Sequence, residues 1–226
     1  MGVGTRGTAA IVDIDGTLVD SNYQHALAWF RAFRRHGVTC ELWRLHRLIG
    51  MGGDQLVEAA AGAEVERVHG NGIRAAERTI FAGMIDEITV LPGARRLLEE
   101  LSRRARAVVL SSSAKPEEAD HYIRLLDARE LLDDWTTSED VEATKPAPDL
   151  VEVALAKAGG GPAVMIGDST WDCIAAARAG VPTVALLTGG FGREELWEAG
   201  AIGVHSFLAE AIDQISAPGL LDGAPA

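Results

Sequence analysis

Thr8-Ala9-Ala10-Ile11-Val12-Asp13-Ile14-Asp15-Gly16-Thr17 reads as a short buried strand that runs straight into two acids and a glycine. Side chains alternate along a strand, so Asp13 and Asp15 share a face only while the strand continues. Gly16 breaks it there and lets the chain turn with both acids crowded at one strand mouth. Carboxylates packed together repel, which costs stability unless a cation or a shared proton compensates. Chemistry gives a reason to accept that cost: one acid as nucleophile, the other as proton shuttle, a divalent metal between them.

Outward from this stretch, apolar segments at Ala107–Leu110, Trp135–Thr137, Ala163–Ile166 and Thr183–Leu187 predict further strands, with a shorter one at Ala201–Val204. Helical patterns separate them at Gly93–Arg103, Pro116–Leu126, Ala147–Ala158 and Trp171–Ala179. Strands alternating with helices predict an α/β fold, a Rossmann-like parallel sheet covered on both faces. The tail beyond about Ala217 is expected to fray. Between the first strand and Leu91-Pro92-Gly93 the pattern changes to helices at Tyr23–His36, Glu41–Leu48 and Ala63–Met84, punctuated by Gly37, Gly50-Met51-Gly52-Gly53 and Gly62. The expected organisation is a core of residues 1–21 and 89–226 with a helical cap of 22–88 inserted into it. Ligands of open α/β sheets bind outside the carboxyl ends of the strands, so an insertion at that edge covers the site as a lid.

The bulk properties narrow the function. With 226 residues, 47% of them hydrophobic and 24% charged, the chain can bury a sizeable core. A net charge of -12 argues against a nucleic-acid partner, which needs a basic face. It also requires the site to be locally positive if the substrate is an anion. Cys40 and Cys173 stand far apart in no metal-binding spacing, which suits reduced thiols. No apolar run is long enough to span a bilayer and no secretory leader is visible, so the expectation is a cytoplasmic protein without a membrane partner. Met1-Gly2 lacks the Ser or Thr that myristoylation wants, since Arg6 stands there. The Gly2-x-Gly4-x-x-Gly7 spacing precedes the first strand, whereas a dinucleotide site needs it between strand and helix.

Each expected strand ends in polar residues. Ser111-Ser112-Ser113 offers hydroxyls just before a helix start, a grip for phosphate oxygens. Lys145-Pro146-Ala147-Pro148 is a stiffened loop carrying a lysine. Gly167-Asp168-Ser169-Thr170-Trp171-Asp172 sets one acid at a strand tip and another about a turn into a helix. In a parallel sheet these groups converge at one edge. Oxygen-rich ligation without histidine suits Mg2+.

The order Asp13-x-Asp15-Gly16-Thr17, Ser111, Lys145-Pro146, Gly167-Asp168-x3-Asp172 resembles the haloacid dehalogenase-like hydrolase superfamily. Within it, the chain looks like the phosphoglycolate phosphatase-like and β-phosphoglucomutase-like branch with a helical cap. The resemblance runs from about Thr8 to Gly190. It implies a Mg2+-dependent phosphatase acting on a small phosphorylated metabolite as a monomer or homodimer. Asp13 would be the nucleophile that forms an aspartyl-phosphate, and Asp15 the general acid and base. Asp13, the backbone carbonyl of Asp15, and Asp168 would hold the metal, with Asp172 in support. Thr17, Ser111, Ser112 and Lys145 would bind the phosphate.

Other functions share parts of this pattern. A sugar-phosphate mutase uses the same core, but Gly52-Gly53 stands where such mutases carry a substrate-binding arginine. Dehalogenases and phosphonate hydrolases of the superfamily tend to lack the second acid. The latter use a cap lysine, and residues 22–88 contain none. A non-catalytic binding protein would be expected to have lost a core group, and none is lost. His25 lies where mutases and some related phosphatases carry a hinge histidine, although a helix-end histidine without a catalytic role is the plainer reading. Arg74 and Arg78 are either contacts for an anionic substrate or solvated helix charges. Trp43, Trp171 and Trp197 are expected to be packing residues.

Overall fold

A computed structural model describes residues 7–217 and 219–221. The amino-terminal Gly2, Gly4 and Arg6 lie outside the described residues. Strand β1 (Ala9–Val12) occupies the middle of a six-stranded parallel sheet. The other strands are β4 (Val108–Ser111), β5 (Asp134–Thr136), β6 (Ala163–Gly167), β7 (Thr183–Leu186) and β8 (Ala201–His205), and the order across the sheet is β5-β4-β1-β6-β7-β8. The remaining two strands, β2 (Val19–Asp20) and β3 (Thr89–Val90), form a small antiparallel ribbon.

Period-two alternation divides the core. Ala10 and Val12 of β1 join Val108, Leu110, Val164 and Ile166 on one face. On the other, Ala9 and Ile11 join Val109, Ala163 and Met165. Both faces are buried, as expected for a parallel sheet between helical layers. The layers are α5 (Ala94–Arg104), α6 (Pro116–Leu125), α7 (Asp149–Lys157), α8 (Thr170–Arg178), α9 (Arg193–Glu198) and α10 (Leu208–Ser216). Proline at the first turn of α6 costs no hydrogen bond there and fixes the start of the helix. Helix α8 starts on a capping box, with Ser169 and Asp172 satisfying each other's backbone amides.

The ribbon β2–β3 marks where the chain leaves the sheet and returns to it. Between its strands lie α1 (Asn22–Arg35), α2 (Leu42–His46), α3 (Gly53–Ala61) and α4 (Ala63–Ala82). Buried Phe33, Leu56, Ile73 and Phe81 give this helical segment apolar packing of its own.

Several expectations need correction. Helix α3 was masked by the glycine pair that starts it. The second helix is shorter than its apolar pattern, and α4 ends before Met84. Of the tail expected to fray, residues 219–221 are described: Leu221 is buried, and its carbonyl accepts the Thr8 amide at 2.9 Å, closing the amino edge of β1, while 218 and 222–226 lie outside the described residues. Of the tryptophans expected to pack, Trp43 and Trp197 are 68% and 47% exposed. No helix among the described residues is long and apolar enough to cross a membrane.

Candidate active site

Register brings the acids together. Val12 of β1 pairs with Leu110 on one side and Ile166 on the other, so Asp13 leaves the sheet between the ends of β4 and β6. This is the switch point at which open α/β sheets bind ligands. The Asp13 amide donates to the Ile166 carbonyl at 2.9 Å, which fixes the residue as an extension of the strand. Gly16 then turns the chain with φ +75°, and a Cβ on it would lie 2.3 Å from Asp168 Oδ2. Glycine is required there both for backbone conformation and for close approach.

Asp13 is buried against Lys145, whose Nζ donates to Asp13 Oδ1 at 2.5 Å and meets Asp172 Oδ1 at 2.6 Å. Lys145 is only 1% exposed and also donates to the Ser111 carbonyl at 3.3 Å. Burial alone would lower its pKa, but Asp13 and Asp172 outweigh that and keep it cationic. Asp168 takes hydrogen bonds from Thr17 Oγ1 at 2.8 Å and Asn22 Nδ2 at 2.9 Å. Asp172 Oδ2 accepts from the Ser169 hydroxyl and from the amides of Asp168 and Ser169. It therefore organises the loop that presents Asp168 and holds Lys145 from behind.

One lysine faces this group of acids. Burial first, then Asp172, Asp168 and Asp15, hold the Asp13 carboxyl well above the ordinary range against the pull of Lys145. Burial and Asp172 likewise raise Asp168. Carboxylate oxygens of Asp13, Asp168 and Asp172 lie within 4.8 Å of one another. An all-oxygen, electrostatically undercompensated cluster of this kind fits a hard divalent cation.

Asp15 faces a different set of partners. Its Oδ1 accepts from Ser21 Oγ at 2.6 Å and lies 3.2 Å from His25 Nε2. The other ring nitrogen of His25 is 3.5 Å from Glu77 Oε1, and the ring stacks on Phe81 with centroids 3.8 Å apart. Burial opposes the charged form of Asp15, yet the bonds from His25 and Ser21 outweigh it and hold the carboxyl below its ordinary value. His25 moves the other way: burial lowers it, but Asp15 and Glu77 prevail and push it up to about 10. The arrangement sets a carboxylate able to attack beside a second carboxylate on a proton-bearing imidazole.

A cavity of about 360 Å³ opens over Asp13 and Asp15 and is walled by both the helical segment and the core. Its walls include His25, Trp29, Gly52, Asp54, Arg74, Glu77, Arg78, Ser113, Glu118, Glu142 and Thr144. Across it, Asp54 of α3 accepts from the Thr144 amide at 3.1 Å and from the Thr144 hydroxyl. Arg74 pairs with Glu66 at 2.7 Å, whereas Arg78 is exposed. Glu118 lies in the first turn of α6; burial foremost, with Asp15 and Glu77 adding to it, lifts its carboxyl to about 7 despite His25.

The residues singled out from the sequence thus fall into groups. Asp13, Lys145, Asp168 and Asp172 meet, Asp15 stands beside them, and the buried Ser111 hydroxyl has no hydrogen-bond partner of its own. Thr17 turns to Asp168 instead of lining the cavity. The Ser112 hydroxyl is equally inward, accepting the Ala114 amide at 3.0 Å, and Ser113 is the serine that reaches the cavity wall. Sequence reasoning missed Ser21, Asn22, Glu77 and Glu118. Only Ser21-Asn22 carried a local signal, and it reads as a helix cap.

The model of the family described as haloacid dehalogenase-like hydrolase matches residues 8–180. Validoxylamine A 7'-phosphate phosphatase of Streptomyces hygroscopicus subsp. limoneus is 30% identical over 79% of this chain and 85% of its own. Hexitol phosphatase A of Escherichia coli is 31% identical over 78% and 81%. A hydrolase from Pseudomonas syringae superposes with a TM-score of 0.84 at 31% identity, over 93% of this chain and 100% of that one.

Proposed function

The chain belongs to the haloacid dehalogenase-like hydrolase family, and from that premise we propose that it is a Mg2+-dependent phosphatase of small phosphate monoesters. The observation that carries this reading is the buried Asp13–Lys145–Asp172 contact beside the separate Asp15–His25 pair. Phosphatases among its relatives support it.

A carboxylate oxygen of Asp13 attacks phosphorus, and the bond from phosphorus to the ester oxygen breaks. Asp15 delivers a proton to the departing oxygen. At rest Asp15 is a carboxylate on the His25 imidazolium; a phosphoryl group arriving beside it raises its proton affinity, so it takes the Nε2 proton of His25 before passing it to the departing oxygen, and the proton it later takes from water returns to His25. In the second half, Asp15 takes a proton from water as the water oxygen attacks the aspartyl-phosphate. Inorganic phosphate leaves and Asp13 is restored. Lys145 and the Ser111 hydroxyl hold the phosphoryl oxygens throughout, and Asp172 keeps Lys145 in place. Asp13, Asp168 and the carbonyl of Asp15 are the groups to hold Mg2+, which when bound supplies charge neutralisation to the phosphoryl oxygens and the crowded acids. Residues 22–88 act as the cap that excludes water, closing on the core through Asp54 and Thr144.

His25 on Asp15 is the observation that favours a sugar-phosphate mutase instead. Such an enzyme would return the phosphoryl group to substrate, so stoichiometric release of phosphate decides between the two. The test is phosphate release from a panel of monoesters, with and without EDTA, by the wild type and Asp13→Asn. Activity in Mg2+ that EDTA abolishes and Asp13→Asn lacks is the expected result. Turnover without metal, or full activity in the Asn variant, would overturn the mechanism.

A further inference from the structure

Phosphate chemistry leaves one wall of the cavity unexplained. Glu118 faces it from the core side, close enough to Asp15 and Glu77 for their charges to act on it. Among the described residues it forms no ion pair. Three of the nearby cations are committed elsewhere: His25 bridges Asp15 and Glu77, Arg74 pairs with Glu66, and Lys115 lies 3.6 Å from Glu139. Glu142 and Arg78 are both exposed residues of the same cavity, and neither forms an ion pair among the described residues. Next to the proton-handling acid, the wall offers the Glu118 carboxylate to the substrate's organic part, together with the hydroxyls of Ser113 and Ser138. The Ser138 hydroxyl is itself buried without a partner.

The half-buried Glu118 carboxylate on the cavity wall repels an anion placed beside it and gains from a further hydrogen-bond donor. Trp29 is 6% exposed and so offers no open face on which a nucleobase could stack. The volume of about 360 Å³ is at the small end for ligand sites. We propose, resting on the phosphatase reading, that Glu118 is a specificity-determining residue. It accepts a hydrogen bond from a hydroxyl or ammonium group on the carbons next to the ester oxygen. The enzyme thereby takes polyhydroxylated or amine-bearing esters, and rejects esters with a carboxylate at that place.

The experiment compares kcat/KM at pH 8 in Mg2+ for sorbitol 6-phosphate, phosphoethanolamine, phosphoglycolate and 4-nitrophenyl phosphate. Wild type is expected to favour the first two over phosphoglycolate by roughly 100-fold, the upper end of what leaving a polar group without its partner costs. Glu118→Gln is expected to shrink that ratio by about tenfold or more, and Glu118→Lys to shrink it further. A ratio of two esters on one enzyme is insensitive to a general loss of activity, and the wild-type series stands if a variant does not fold. Phosphoglycolate turned over as well as the first two esters, or a ratio unchanged in Glu118→Gln, overturns the inference while 4-nitrophenyl phosphate hydrolysis keeps the phosphatase reading. No hydrolysis of any ester overturns both.

Discussion

Asp15 is the residue on which most of the surrounding structure converges. Ser21 and His25 hold its carboxylate, and Glu77 and Phe81 hold His25. Ser21 stands at the amino end of α1 yet makes no side-chain cap bond, because its hydroxyl is spent on Asp15. Replacing His25 by Gln keeps much of the shape and removes the proton-bearing charge. The expected result is a fall in kcat of about 100-fold, the scale of a lost proton-transfer partner, with KM nearly unchanged; steady-state kinetics checks it. The same residue sets a pH signature. Its folded pKa of about 10 stands above the unfolded value of about 6.5. Its stabilisation is therefore fully present below about pH 6.5 and is lost as pH rises through about 10. Wild type is expected to lose more melting temperature between pH 7 and 10 than His25→Gln does; parallel curves for the two would refute this. Glu77→Gln should fall between them, since it leaves the Asp15 contact intact.

Among the elements, the loop Gly50-Met51-Gly52-Gly53 shows what the sequence disclosed and what it hid. Strand positions, the acids at strand ends and the helical insertion were legible because each is carried by local pattern: apolar runs, alternation, and polar residues at the tips. The glycine loop reads as punctuation between helices and hides α3 behind it, because glycine at a helix start looks like a break. Its purpose is tertiary. A Cβ on Gly52 would lie 1.9 Å from Thr144 Oγ1, and one on Gly50 would lie 2.7 Å from Ser169 Oγ. Backbone of the helical segment is thus pressed directly onto core loops, beside the Asp54–Thr144 bonds. The bond from Thr17 to Asp168, and the places of Glu77 and Glu118, were illegible for a related reason, since they depend on residues distant in sequence. Gly52→Ala forces either the loop or Thr144 aside, with an overpacking cost of about 1–3 kcal/mol. Much of that cost falls on closure of the loop over the cavity. KM for any ester is expected to rise about fivefold or more, since each 1.4 kcal/mol is tenfold in affinity. Amide exchange in residues 49–55 should quicken while the sheet amides keep their protection. Unchanged KM with normal exchange would separate this loop from substrate binding.

Across the whole molecule, a chain of net charge -12 concentrates buried acids where its sheet opens and gives them one buried lysine. That imbalance makes stability and cation binding two readings of one quantity. Asp13 and Asp168 are both held above their ordinary values, so the folded protein favours their protonated forms. Without a cation, the pair costs stability increasingly as pH rises from the unfolded carboxylate range towards the raised folded values. A divalent cation offsets this cost by binding the deprotonated cluster, and protons compete with it at low pH. Mg2+ at 100 times its dissociation constant stabilises by about 2.7 kcal/mol. For a chain of this length that amounts to a rise in melting temperature of roughly 5–10 °C. Thermal unfolding with Mg2+ or EDTA is expected to show this rise at pH 7.5 and its decline towards pH 5.5. Asp168→Asn should abolish most of the rise and also unfold less readily than wild type in EDTA at pH 7.5, because one repelling charge is gone. A melting temperature indifferent to Mg2+ across that range would mean that the acids are compensated by Lys145 alone, and that the cluster is not a cation site.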